Sequence, residues 1–142
     1  MDLVRRDFDS IIKAIQDEDS RYSRGAYYFL RQALDYTINN INQSGAKNLE
    51  ERHISGQELL EGIRLYALRQ YGPMSYYLLN GWGIFTCNDF GNIVFNLVQC
   101  QVLGKTDKDS PEDFHNGYNF QDAFLKPFKP SKKTPFNKPR LY

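Results

Sequence analysis

Residues 72–104 read GPMSYYLLNGWGIFTCNDFGNIVFNLVQCQVLG, and the parsing of this stretch decides the fold. Gly72 stops the element before it and Pro73 opens the next, the usual asymmetry of helix end and helix start. Pro73 to Asn80 therefore reads as a short helix carrying Met74, Tyr77 and Leu78. Gly81-Trp82-Gly83 turns the chain. Thr86 caps the next helix, and Asp89 is placed to reach back to the cap and to complement the helix dipole. Phe90, Ile93, Val94, Leu97 and Val98 follow at spacings of three and four, and Gly104 ends the run. A short helix, a glycine turn and a second helix are the order of a helix–turn–helix. Beyond an acidic stretch, two short segments around Gly117-Tyr118-Asn119-Phe120 would make a small β-ribbon, the wing of a winged helix.

Upstream, Val4, Phe8, Ile11, Ile12 and Ile15 share one helical face, giving a first helix over about residues 3–16 that the run Asp17-Glu18-Asp19-Ser20 breaks. A second helix spans about residues 23–42, with the stripe Tyr27, Leu30, Leu34, Ile38 and Ile41 and with Ala26 and Ala33 allowing close approach. Residues 42–53 are polar, contain Gly45 and read as a loop. Ser55-Gly56-Gln57-Glu58 is a capping-box pattern that starts a third helix, whose buried stripe is Leu59, Leu60, Ile63, Tyr66 and Ala67. The expected architecture is mainly α. A five-helix domain fills residues 1–124, with a winged-helix-like C-terminal half and its small β-ribbon. A basic, proline-rich tail, extended or disordered, fills residues 125–142.

A chain of 142 residues with 41% apolar content holds one ordinary domain and a real core. No stretch approaches eighteen uninterrupted apolar residues, and no apolar segment follows the charged N-terminus, so neither a membrane span nor a signal peptide is expected. The two cysteines are too few for a disulfide framework and fit reduced thiols in a cytoplasm.

The net charge of +1 conceals a division. All 17 acidic residues lie at or before Asp122, alongside twelve of the 18 cations, so the body carries −5. The tail carries +6, from Lys126, Lys129, Lys132, Lys133, Lys138 and Arg140. Four prolines keep the tail from packing as a helix, and Phe128 and Phe136 lie between its cations. Cations at that density suit a phosphate backbone and rings can stack on bases, so the tail is a candidate contact for RNA or for an acidic partner, the acidic body of its own chain among them.

A DNA-reading winged helix would place its second helix in the major groove. Between Pro73 and Leu103 the single charged residue is Asp89, which leaves Asn88, Asn92 and Asn96, with Gln99 and Gln101, to meet base edges. The acidic wing would repel phosphate. The charge layout thus turns this half of the chain toward core and protein contact, with DNA binding as the alternative.

Candidate chemistry elsewhere is sparse. Asp107 to Asp113 has the carboxylates of a calcium loop but lacks its glycine at the sixth position and its glutamate at the twelfth. His53, His115, Cys87 and Cys100 would make a zinc site only by long-range convergence, because no metal-ligand spacing is present. Cys87 sits near a helix N-terminus, where a thiol pKa falls, and pairing with a histidine would make it a nucleophile. Glu58, Glu61 and Arg64 lie three apart, the spacing of ordinary surface pairs. The glycines at 81 and 83 lack the remainder of a phosphate loop. No catalytic residue, cofactor or metal is assigned.

Longer stretches carry a resemblance. Arg52-His53-Ile54-Ser55-Gly56-Gln57-Glu58-Leu59-Leu60-Glu61-Gly62-Ile63-Arg64, Tyr71-Gly72-Pro73-Met74, Trp82-Gly83-Ile84 and Asp89 to Val98 resemble an uncharacterised family of small bacterial proteins. Ala33 to Thr37 and Gly117 to Phe120 fit the same pattern, which stops near Phe128. The resemblance implies a bacterial cytoplasmic protein, and no activity or site residue comes with it. The expected function is a non-enzymatic binding or accessory protein: the ring-rich body engages a protein partner, and the tail adds affinity for RNA or an acidic surface. The alternatives are a DNA-binding winged-helix regulator and a small enzyme or metal protein.

Overall fold

The computed structural model describes residues 2–43, 54–104 and 110–130, with side chains from Phe8 to Ile41 in the first of these segments. Six α-helices occur among them: α1 (Asp2–Glu18), α2 (Arg24–Gln43), α3 (Gly56–Tyr71), α4 (Ser75–Gly81), α5 (Cys87–Gln99) and α6 (Phe120–Phe124). Short 3-10 turns at Gly72–Met74, Pro111–Phe114 and Lys126–Phe128 connect or follow them.

The most extensive helix contact is α2 against α3, where Gly62 leaves room for a side chain of α2. At their crossing Gly62 faces Thr37, and a methyl group at 62 would overlap the Thr37 hydroxyl and lie 2.8 Å from its Cβ. Phe29 on α2 is the centre of the ring-rich core. Its ring lies 5.7 Å from Tyr66, 6.0 Å from Tyr71, 5.6 Å from Trp82 and 6.5 Å from Phe90, separations at which aromatic pairs attract beyond simple burial. Phe90 continues the cluster to Phe120, and Phe120 to Phe124, at 5.5 and 5.0 Å. The chain of rings thus ties α2, α3, α5 and α6 together. On α1, Phe8, Ile12 and Ile15 are buried, and the Arg31 guanidinium lies over the Phe8 ring.

Two caps act as the sequence indicates. Ser55 Oγ accepts from Glu58 N at 3.1 Å and Glu58 Oε1 accepts from Ser55 N at 3.0 Å, a complete capping box. Asp89 Oδ2 accepts from Thr86 N at 3.0 Å and from Phe85 N at 2.8 Å. At the other end of α5 the chain reverses through Gln101 with φ +63°, while Val102 N donates to Leu97 O at 2.9 Å. This is the left-handed helix end that glycine usually makes.

The expected β-ribbon is overturned. No strand occurs among the described residues. Residues 110–124 instead form the 3-10 turn Pro111–Phe114 and helix α6. Both are started by side-chain caps: Ser110 Oγ accepts from Glu112 N at 3.2 Å, and Asn119 Oδ1 accepts from Gln121 N at 2.9 Å and Asp122 N at 3.1 Å. Amides satisfied this way favour helical turns over a ladder. Phe120, Ala123 and Phe124 then bury one helical face, and Phe114 is buried as well. Phe114 packs so closely on α5 that a Cβ on Gly91 would lie 3.0 Å from its ring. The described residues of the C-terminal half therefore form a helical layer closed by rings, with no wing among them. Residues 107–109 of the acidic stretch lie outside the described residues.

Candidate functional site

The nearly uncharged stretch from Pro73 to Leu103 divides into an internal clasp and an exposed face. The clasp comes from one side of α5. Asp89, Asn92 and Asn96, spaced three and four apart, form a polar stripe on a helix whose other side buries Phe90, Ile93 and Leu97. That stripe meets the connection between α1 and α2. Tyr22 Oη donates to Asp89 Oδ1 at 2.6 Å and accepts from Asn92 Nδ2 at 2.9 Å. Asn96 Nδ2 donates to Asp19 Oδ2 at 3.0 Å and to Tyr27 Oη at 3.1 Å. Arg21 completes the arrangement with a two-pronged pair to Asp19, Nε to Oδ1 at 2.8 Å and Nη2 to Oδ2 at 2.7 Å.

Electrostatics follow from these contacts. The hydrogen-bonded Arg21 guanidinium, helped by Asn96, holds the Asp19 carboxyl well below the usual carboxylate range, against the opposing effect of burial. Burial pushes the Tyr22 phenol up, and the adjacent Asp89 carboxylate adds to that effect. The turn Gly81–Gly83 seats the connection on the same side. Ser23 N donates to Trp82 O at 3.1 Å, and a side chain on Gly83, whose φ is +95°, would overlap the Arg21 carbonyl.

Asn92 and Asn96, two of the three asparagines available for base edges, thus spend their amide donors inside the protein. Asn88 is exposed at the start of α5.

The other half of the stretch faces out. Met74 is 55% exposed, Tyr77 58% and Phe85 59%, all within α4 and its flanking turns. Leu79 and Ile84 between them are completely buried, and Ile84 N donates to Leu79 O at 2.9 Å. The inward residues hold the segment rigidly while the outward ones present large apolar groups. No residue from Pro73 to Asn88 carries a charge. The periodicity of α4 marks Met74 and Tyr77 as a stripe without saying which way it faces. Phe85 lies outside any periodic run, so its exposure has no sequence signal beyond its place next to a turn.

The tail enters the described region only as far as Pro130. Lys126 Nζ pairs with Asp122 Oδ1 at 2.8 Å, Lys129 is exposed, and Phe128 is 43% exposed in the 3-10 turn Lys126–Phe128. Lys132, Lys133, Phe136, Lys138 and Arg140 lie outside the described residues.

The remaining candidates have ordinary surroundings. Cys87 is buried, with its Sγ 3.5 Å from Tyr118 O. Burial pushes its thiol up to about 11, opposite to the lowering expected of a helix N-terminus. His115 and Cys100 are exposed, and His53 lies outside the described residues. Among the described residues no three His, Cys, Asp or Glu side chains gather as metal ligands. From the acidic stretch, the Asp113 carboxylate accepts from Ser110 N at 3.2 Å, and the Glu112 carboxylate accepts from the Ser110 hydroxyl. Glu61 pairs with Arg64 and Glu58 caps α3. An apolar cavity of about 230 Å³ lies between α2, α3 and α5, lined by Leu34, Leu59, Val94, Val98, Leu103 and Phe114 among others. No helix among the described residues is long and apolar enough to cross a membrane.

No known protein family, curated protein or solved structure matches the chain.

Proposed function

We propose that this protein is a non-enzymatic, cytoplasmic binding protein. Its body engages a protein partner through the uncharged face of α4 and the turn that follows, and its basic tail adds contact with RNA or an acidic surface. The observation that carries this reading is the exposure of Met74, Tyr77 and Phe85 in a segment free of charge. The cores of protein interfaces are depleted in charge and enriched in Met and aromatic residues, and their anchors are rings that lose water on contact. A surface kept only for solubility would carry the charges that a quarter of this chain's residues supply elsewhere. The occupied amides of Asn92 and Asn96 direct attention away from α5 as a reader of bases. The tail's six cations support the second contact.

Affinity purification of the full chain from its own cell, with and without nuclease, tests the reading. Protein partners should survive nuclease and be lost with Tyr77→Lys combined with Phe85→Lys. Any nuclease-sensitive fraction should fall steeply with salt and vanish on deleting residues 125–142. Partners retained by the double variant would refute the proposed face.

A further inference from the structure

We propose that the apolar cavity between α2, α3 and α5 binds a medium-chain aliphatic carboxylate, its alkyl chain in the cavity and its carboxylate against Arg31; the proposal does not depend on the α4 face. Protein interiors hold few voids larger than a water, because side chains around a gap forgo the contacts that packing supplies. Here about 230 Å³ stays open among Leu34, Leu59, Val94, Val98 and Phe114. A second cavity of about 150 Å³ lies beside it, against Phe8, Leu30 and Leu97, and the two share Leu34, Leu59 and Leu103 as walls. Apolar cavities of this order take up apolar molecules.

Arg31 supplies the polar end. It lines the second cavity, half-buried, with its guanidinium 4.6 Å from the centre of the Phe8 ring. Among the described residues no carboxylate pairs with it. A partly desolvated guanidinium fork is matched by a carboxylate. Asp35 lines the same cavity but is exposed, where water screens its charge. The polar groups of the larger cavity set the direction of the ligand. Ser55 Oγ there is occupied by Glu58 N, and the Asp113 carboxylate, which accepts from Ser110 N, would repel a second anion. Arg31 in the second cavity and Ile38 in the larger are seven positions apart on α2, about 10 Å along its axis. At about 30 Å³ for each group the size of a water or a methylene, the larger cavity holds about eight. Length and volume both suit an acid near octanoate.

Calorimetric titration of the full chain with octanoate and with 1-octanol, up to roughly 2 mM, tests the proposal. Octanoate should bind with a Kd of about 0.1 mM, the affinity that burial of its methylenes supports. Arg31→Gln should weaken octanoate by about tenfold and leave 1-octanol within about twofold, because the alcohol has no charge for the guanidinium to meet. Val98→Phe, which fills the larger cavity, should weaken both ligands by about tenfold or more, with helical circular dichroism unchanged. Methyl NMR of the wild type locates the ligand without any substitution: octanoate should shift the resonances of Leu34, Leu59, Val94 and Val98 and leave those of Leu79 and Ile84 in place. No binding of octanoate over this range would overturn the proposal. So would shifts confined to other methyls, which would put the ligand elsewhere. Equal losses for acid and alcohol in Arg31→Gln, or no loss for either, would refute the carboxylate at Arg31.

Discussion

Replacing Gly62 by alanine should destabilise the protein although alanine is the better helix former. In an exposed helix the change would gain about 1 kcal/mol. At this position the new methyl would overlap the Thr37 hydroxyl and lie 2.8 Å from Thr37 Cβ and 2.9 Å from its Cγ2, in the crossing of α2 and α3. Thr37 is 4% exposed, and its hydroxyl donates to Ala33 O at 2.7 Å. Either the helices move apart, which as overpacking costs about 1–3 kcal/mol, or Thr37 rotates and strands a buried hydroxyl, which costs about 1–3 kcal/mol. Against the propensity gain, the net loss should be up to about 2 kcal/mol if one response suffices. Urea denaturation followed by circular dichroism reads it directly. Thr37→Ala removes the hydroxyl and Cγ2, so Gly62→Ala in that background should cost less, with a coupling of at least about 1 kcal/mol. A cycle additive within about 0.5 kcal/mol, or a stabilising Gly62→Ala alone, would refute the close crossing.

Gln101→Gly should stabilise the fold by about 0.5–1 kcal/mol, because residue 101 is exposed with φ +63° and relief of that conformation outweighs glycine's entropy; a lower denaturation midpoint would contradict it. At roughly pH 8 iodoacetamide should label one thiol per native chain quickly, Cys100, while Cys87 reacts only on unfolding, as mass spectrometry would show, since its thiol is buried and pushed up to about 11. Tyr22→Phe leaves Asp89 Oδ1 without its donor and Asn92 Nδ2 without its acceptor, and should cost about 1–2 kcal/mol in chemical denaturation; no change would dissolve the clasp. The Asp19 carboxyl is held low in the folded state, so its stabilisation is present above the ordinary carboxylate pKa near 4 and is lost as pH falls below it toward the folded value. Thermal melts between about pH 5 and pH 2 should therefore fall more for the wild type than for Asp19→Asn.

Local chemistry was written in the sequence where one segment satisfies itself. The Ser55–Glu58 and Thr86–Asp89 caps, the stop at Gly72 and the apolar stripes place α1 to α5 within a few residues of their observed limits. The same kind of signal was present where the ribbon was expected. Ser110 with Asp113 three residues on has the spacing of a cap, Pro111 suits a first turn, and Asn119 precedes an apolar face at 120, 123 and 124. The glycine and rings at 117–120 also suit strands, and that competing pattern points to a ribbon. What local pattern cannot supply is the partner of a face. Asp89, Asn92 and Asn96 form a visible polar stripe, but Tyr22, Asp19 and Tyr27 are 67 to 77 residues away along the chain. The same limit applies to α4, where spacing groups Met74 with Tyr77, and only the packing of Leu79 and Ile84 decides that the pair faces outward.

Photo-crosslinking from the α4 face in the native cell tests the central claim most directly. A benzophenone side chain at position 77 or 85 of the full chain, irradiated in the cell, should give protein adducts that resist nuclease, whereas the same group at exposed Ser10 or Gln121 should not. Absence of protein adducts at 77 and 85, with adducts forming instead from the control positions, would contradict a protein interface on this face.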